Sequence, residues 1–134
     1  MIILDTSFLV SYYNKRDKKH PASKEIMKRI IGGIYGEACI SDYIFDECST
    51  VLMSRLNNLK EAIELCGEIK GLITLKVDEE LFEKSWQVFK KQENTSFSFT
   101  DCSILSFMSE ERINYLATFD EEFKKVKEIM VVDL

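Results

Sequence analysis

Asp5, Glu47, Asp101 and Asp120 are the residues whose type and spacing could do chemistry. Each falls at the end of a predicted strand or in the opening turns of the helix that follows one. Right-handed crossovers start each helix near the point where the preceding strand ended. In an open parallel sheet, sites gather just beyond the carboxyl ends of the strands. Met1-Ile2-Ile3-Leu4 reads as a strand buried on both faces, and Asp5 closes it. Glu47 lies at the border of its helix's apolar arc, whereas Asp46 points nearly opposite. Asp101 shares a helical face with Ile104, Leu105 and Met108 by i, i+3, i+4, i+7 spacing.

Carboxylates converging without compensation repel and raise one another's pKa values. Burying them costs several kcal/mol each unless they are paired or metal-bound. No Lys or Arg is adjacent in sequence to any of the four. A hard divalent cation, Mg²⁺ or Mn²⁺, is the natural compensation, because it prefers oxygen ligands and keeps several waters. Taken singly, each acid has a plainer reading. Asp101 reads as a helix cap, Glu47 as a solvated side chain and Asp120 as a turn residue.

The elements that must position these acids follow from periodicity and caps. Thr6-Ser7 predicts the cap of a short helix carrying Phe8, Leu9 and Tyr12, and residues 14–19 read as a loop. Pro21 opens a second helix with Ala22, Ile26, Met27 and Ile30 inward, ended by Gly32-Gly33. Ala38-Cys39-Ile40 is the second strand, and Ser41 caps a helix from Asp42 to about Leu56. Leu59–Glu68 continues as helix, and Leu72–Val77 alternates as the third strand. Asp78 caps a helix with Leu81, Phe82, Trp86 and Phe89 on its core side. A polar loop over 92–98 holds Phe97, and Thr100 caps the next helix. Tyr115–Thr118 is the fourth strand, Asp120–Phe123 a short helix or turn, and Met130–Val132 the fifth strand. Strands alternating with helices predict a three-layer α/β/α sandwich on a parallel sheet, as a single domain over 1–134.

The net charge of −5 weighs against a protein coating nucleic acid through a broad basic surface. It leaves room for one that grips phosphates through a bound cation. Lys15, Arg16, Lys18 and Lys19 form the best basic cluster, read either as a substrate contact or as a solvated loop. Phe97 and Phe99 either stack on unpaired bases or pack their loop on the core. His20 reads as a surface residue. Cys39, Cys48, Cys66 and Cys102 contain no CxxC pair, so they read as small buried hydrophobes with free thiols rather than a zinc site. No run approaches a membrane span, and no basic stretch precedes Ile2, so the expected location is the cytoplasm.

Ile3-Leu4-Asp5-Thr6-Ser7-Phe8-Leu9, then Ser41 with Glu47, then Thr100-Asp101-Cys102, then Thr118-Phe119-Asp120-Glu121-Glu122-Phe123 resemble, in order and separation, the four blocks of PIN domains. The resemblance covers essentially the whole chain. It implies a five-stranded parallel sheet ordered 3-2-1-4-5 and metal-dependent ribonuclease activity leaving a 5′-phosphate and a 3′-hydroxyl. Asp5, Glu47 and Asp101 would hold one Mg²⁺ or Mn²⁺, directly or through water. Asp120, or Glu122 where many members have Asp, would supply the fourth ligand. Thr6 or Ser7 reads either as a hydrogen-bond donor to a phosphate or metal water or as a simple N-cap, and Thr118 is a further candidate substrate contact. As a small stand-alone domain, the chain is similar to VapC toxins of type II toxin–antitoxin modules. That implies an RNA substrate, a VapB-like antitoxin and a homodimer. Two other classes remain open. One is a non-catalytic PIN module binding RNA or protein. The other is a phosphatase or phosphotransferase with Asp5 as nucleophile, which would want a second Asp where Ser7 stands.

Overall fold

The structure is a computed structural model that describes residues 1–133. Its centre is β1 (Ile2–Leu4), whose three side chains are at most 1% exposed. The strands β2 (Ala38–Ser41), β3 (Ile73–Leu75), β4 (Tyr115–Ala117) and β5 (Met130–Val132) complete a parallel sheet in the order β3-β2-β1-β4-β5. The register places Ile2 between Ala38 and Tyr115, so β1 is paired on both sides. That explains why it is apolar throughout. Gly36 passes so close to the start of β1 that an added Cβ would lie 2.9 Å from the Met1 nitrogen, and its φ of +80° also favours glycine.

Six helices connect the strands: α1 (Thr6–Tyr13), α2 (His20–Ile31), α3 (Asp42–Leu56), α4 (Leu59–Lys70), α5 (Glu79–Lys90) and α6 (Phe99–Glu110). α1 packs on α2 and α3, α3 on α4, and α5 on α6, which gives the expected three-layer α/β/α arrangement. Ser41 caps α3 through Ile44 N and Asp78 caps α5 through Leu81 N, both as expected. The third strand is shorter than Leu72–Val77, because Val77 N donates to the Asp42 side chain at 3.0 Å.

Two caps differ from the sequence reading. α1 is capped by Asp5 itself, which accepts from Thr6 N, and not by Thr6-Ser7. α6 is capped by Ser98, with Thr100 inside the first turn. Ser98 and Asp101 form a reciprocal pair: Ser98 Oγ accepts from Asp101 N at 3.1 Å, and Asp101 Oδ2 accepts from Ser98 N at 3.0 Å. Removing that cap with Ser98→Ala is expected to cost about 1 kcal/mol, read as a lowered chemical-denaturation midpoint.

The core side of α5 also differs. Phe82, Trp86 and Phe89 are 44%, 43% and 37% exposed, and the buried residues of α5 are Leu81 and Ser85. The Ser85 hydroxyl satisfies itself on Leu81 O at 2.7 Å, which lets this polar side chain be buried. Cys39, Cys48 and Cys102 are buried free thiols as expected, and Cys66 is half-buried. No helix among the described residues is long and apolar enough to cross a membrane.

Candidate active site

The carboxyl edge of the sheet opens into a cleft of about 620 Å³. Asp5, Glu47, Asp101 and Asp120 all line it, delivered by the end of β1, the second turn of α3, the first turn of α6 and the segment after β4. Glu47 lines the cleft and Asp46 is exposed outside it, as the helical arc predicted.

Asp5 is 4% exposed and held on three sides. Its Oδ1 accepts from Thr6 N at 2.8 Å, and its Oδ2 accepts from Ser7 Oγ at 3.1 Å and from Thr118 Oγ1 at 2.7 Å. Burial pushes its pKa up to about 6, and the Thr118 bond offsets part of that rise. The nearby Asp101 charge adds to it. Thr118 Oγ1 also accepts from Asp120 N at 3.0 Å, and Ser7 Oγ from Phe119 N at 3.0 Å. The hydroxyls of Ser7 and Thr118 are therefore spent on locking β1 to the turn after β4. They position Asp5 rather than turn toward a substrate. Thr6 is different: its hydroxyl is buried, has no hydrogen-bond partner, and belongs to a residue on the cleft wall.

Asp101 is also raised above the ordinary carboxylate value, first by burial, with the charges of Glu47 and Asp120 contributing. Its Oδ2 is engaged by Ser98 N at 3.0 Å. Asp120 Oδ1 caps the 3₁₀ turn Glu121–Lys125 through Glu122 N at 3.0 Å. Glu122 is not brought to the cleft. Its carboxylate accepts from Ser96 N at 2.6 Å and lies 3.7 Å from Lys125 Nζ. The Ser96 backbone bond holds it below the usual Glu value. Glu122 therefore clamps the loop before α6, and of the two alternatives for the fourth block Asp120 is the one at the site.

The acids share one cleft but not one point. Among the described residues, no three Asp, Glu, Cys or His side chains stand as a ready-made metal group. Three of the acids are each drawn to a cap or backbone donor. Phe97 is 4% exposed and stacks on Phe123 at 4.8 Å, so it packs its loop and cannot meet a base. Phe99 is half-buried against Phe82, with ring centroids 4.9 Å apart. His20 sits outside the cleft lining, with Nδ1 2.9 Å from Ser11 O. Sequence reading missed Arg55, at the last turn of α3, which lines the cleft together with Lys19. Its i+8 relation to Glu47 was the available signal. A second cleft of about 590 Å³ lies at the opposite edge, between the end of α6 and residues 126–129, and holds none of the four acids.

An all-parallel sheet with carboxylates collected at its switch point, where β1 meets β2 and β4, defines an α/β protein with an acidic edge site. Residues 2–129 match the PIN domain family model, and the chain belongs to that family. A VapC ribonuclease of Archaeoglobus fulgidus is 27% identical over 122 residues, covering 90% of this chain and 78% of the relative. The fold is shared with the Mycobacterium tuberculosis toxin VapC20, described as cleaving the sarcin–ricin loop, at TM-score 0.86 and 20% identity over the whole of both chains. It is shared too with VapBC2 of Rickettsia felis bound to a DNA fragment from their promoter, at TM-score 0.73 and 14% identity over 98% of each chain.

Proposed function

We propose that this PIN domain is a ribonuclease that hydrolyses RNA phosphodiester bonds with the help of Mg²⁺ or Mn²⁺, acting as the toxin of a toxin–antitoxin pair. The observation that carries the reading is the gathering of Asp5, Glu47, Asp101 and Asp120 around one cleft from four separate parts of the sequence. The donors fit a hard cation. They are all oxygens, two have pKa values raised first by burial and further by neighbouring carboxylates, and the orphaned Thr6 hydroxyl offers a further partner for a water or ligand. Asp5, Glu47 and Asp101 would hold such an ion, directly or through its waters, and Asp120 would help with a second ion or with a water. When bound, such an ion supplies Lewis-acid polarisation of the phosphate and an acidified water. The chain's part is positional. Ser7 and Thr118 fix the Asp5 carboxylate, Ser98 fixes the start of α6, and Asp120 is fixed through its own backbone by Thr118.

The VapC and VapBC names among its relatives support RNA as substrate and a VapB-like antitoxin as partner, and a homodimer and a cytoplasmic location accord with that reading. The test is Mn²⁺-dependent cleavage of single-stranded RNA by the parent and by Asp101→Asn. Loss of at least about 10²-fold is expected, with the fold retained by circular dichroism. Full activity in a folded Asp101→Asn would end the proposal. The absence of a ready-made three-ligand group among the described residues favours one rival, a non-catalytic PIN module. That rival predicts no rise in melting temperature on adding Mn²⁺ or Mg²⁺, whereas a bound ion stabilises by mass action.

A further inference from the structure

The cleft is chemically two-sided. Besides the acids, it is lined by Lys19 from the α1–α2 loop and Arg55 from the end of α3. Arg55 lies eight residues beyond Glu47, about 12 Å along the helix. It also lines a second hollow of about 180 Å³ together with Lys15, Arg16 and Glu61. Arg55 thus joins the acid cleft to a basic one.

The loop carrying Lys19 is held firmly at its backbone. Asp17 Oδ1 accepts from Ser11 Oγ at 3.1 Å and from Lys19 N at 2.8 Å. Asp17 Oδ2 lies 3.8 Å from Arg55 Nη1, an outer-limit ion pair in which the Arg55 side chain is 58% exposed. Such a pair contributes little to stability. Lys19 Nζ stands 5.7 Å from the centre of the Phe119 ring on the cleft wall. A protein of net charge −5 needs a local positive path if a polyanion is to approach its acids.

We infer that Lys19 and Arg55 form a docking wall for the RNA backbone, and that the strand leaves the acid cleft across it toward Lys15 and Arg16. The scissile phosphate meets the acids and their ion. A neighbouring phosphate exchanges the weak Asp17 partner of Arg55 for itself. This rests on the nuclease reading above and adds the course of the substrate.

The test measures binding alone, so it separates from that reading. In an Asp5→Asn background, the affinity for a labelled, mixed-sequence single-stranded RNA is measured by fluorescence anisotropy across a salt series. Arg55→Glu and Lys19→Glu are each expected to weaken binding at least about fivefold. Each should also flatten the dependence of log affinity on log salt by about 0.7, one lost single-strand phosphate contact. Lys70→Glu carries the same charge change at the end of α4, on the opposite edge of the sheet, and should leave both quantities unchanged. Arg55→Ala, which puts no carboxylate against Asp17, should shift them in the same direction by less. Unaltered affinity and slope in Arg55→Glu and Lys19→Glu would overturn the inference. So would equal weakening by Lys70→Glu, which marks bulk charge rather than a path. Cleavage retained by Asp5→Asn would instead count against the nuclease reading.

Discussion

Asp5→Asn is expected to lose RNA cleavage by at least about 10²-fold and yet, without metal at neutral pH, to melt at a higher temperature than the parent. Asp5 is buried, and its pKa is pushed from 3.8 up to about 6. The folded state therefore prefers the protonated form more strongly than the unfolded state does. Below the unfolded value, Asp5 is neutral in both states and costs nothing. Stability falls as pH rises through the folded value, and above it the full penalty is present, at most about 3 kcal/mol. Asparagine resembles the protonated acid. Its oxygen can accept from Thr6 N, and its amide can donate to the Ser7 and Thr118 hydroxyls, which already lie 3.1 and 2.7 Å from Oδ2. Calorimetry in a chelator should show a stabilisation of several degrees at neutral pH that disappears below about pH 4. Adding Mn²⁺ should close the gap by raising the parent alone. A variant less stable than its metal-free parent at neutral pH would show that the hydrogen bonds of Asp5 outweigh its desolvation.

Phe123→Ala is expected to cost about 3–5 kcal/mol, a large share of the ~5–15 kcal/mol that holds an ordinary domain. Phe123 is fully buried and stacks on Phe97. Phe97 belongs to the loop that ends in the Ser98–Asp101 cap, and Phe123 to the 3₁₀ turn capped by Asp120. The two rings are therefore the apolar coupling beneath two of the four acids. The loop is further tied by Gln92 Oε1, which accepts from Phe97 N at 2.7 Å, and by Glu122 on Ser96. Urea denaturation should show the loss in midpoint with little change in slope. Glu122→Gln, which keeps a side-chain oxygen for Ser96 at the exposed rim, should lose far less.

How much of this was legible depended on whether the signal was local. The strand–helix alternation and the caps Ser41 and Asp78 were readable because periodicity and capping chemistry act within a few residues. The acids were readable because a parallel sheet sends every strand end to one edge. Capping residues at 5–7 and 98–100 were misplaced because several neighbours carry suitable oxygens, and only backbone geometry chooses among them. The face of α5 was misread for another reason. Hydrophobicity ranks Phe82 and Trp86 above Ser85, but Ser85 is the one fully buried, its hydroxyl satisfied on Leu81 O. The hydrogen bonds already made by the acids were the least legible feature. Sequence shows which carboxylates share an edge, not which oxygens a Ser98 amide or a Glu122 amide has already claimed.

The strand made first has one neighbour that arrives late. Half of the pairing of β1 comes from residues 115–117, and the hydroxyl that steadies Asp5 is at 118. Contacts this distant in sequence form slowly, because a long stretch of chain must close before they repay its lost freedom. During synthesis, Asp5 leaves the ribosome more than a hundred residues ahead of Thr118. A chain interrupted before that point has the carboxylate but not the hydroxyl that grips it, so the cleft takes its shape only once residues 115–118 have emerged.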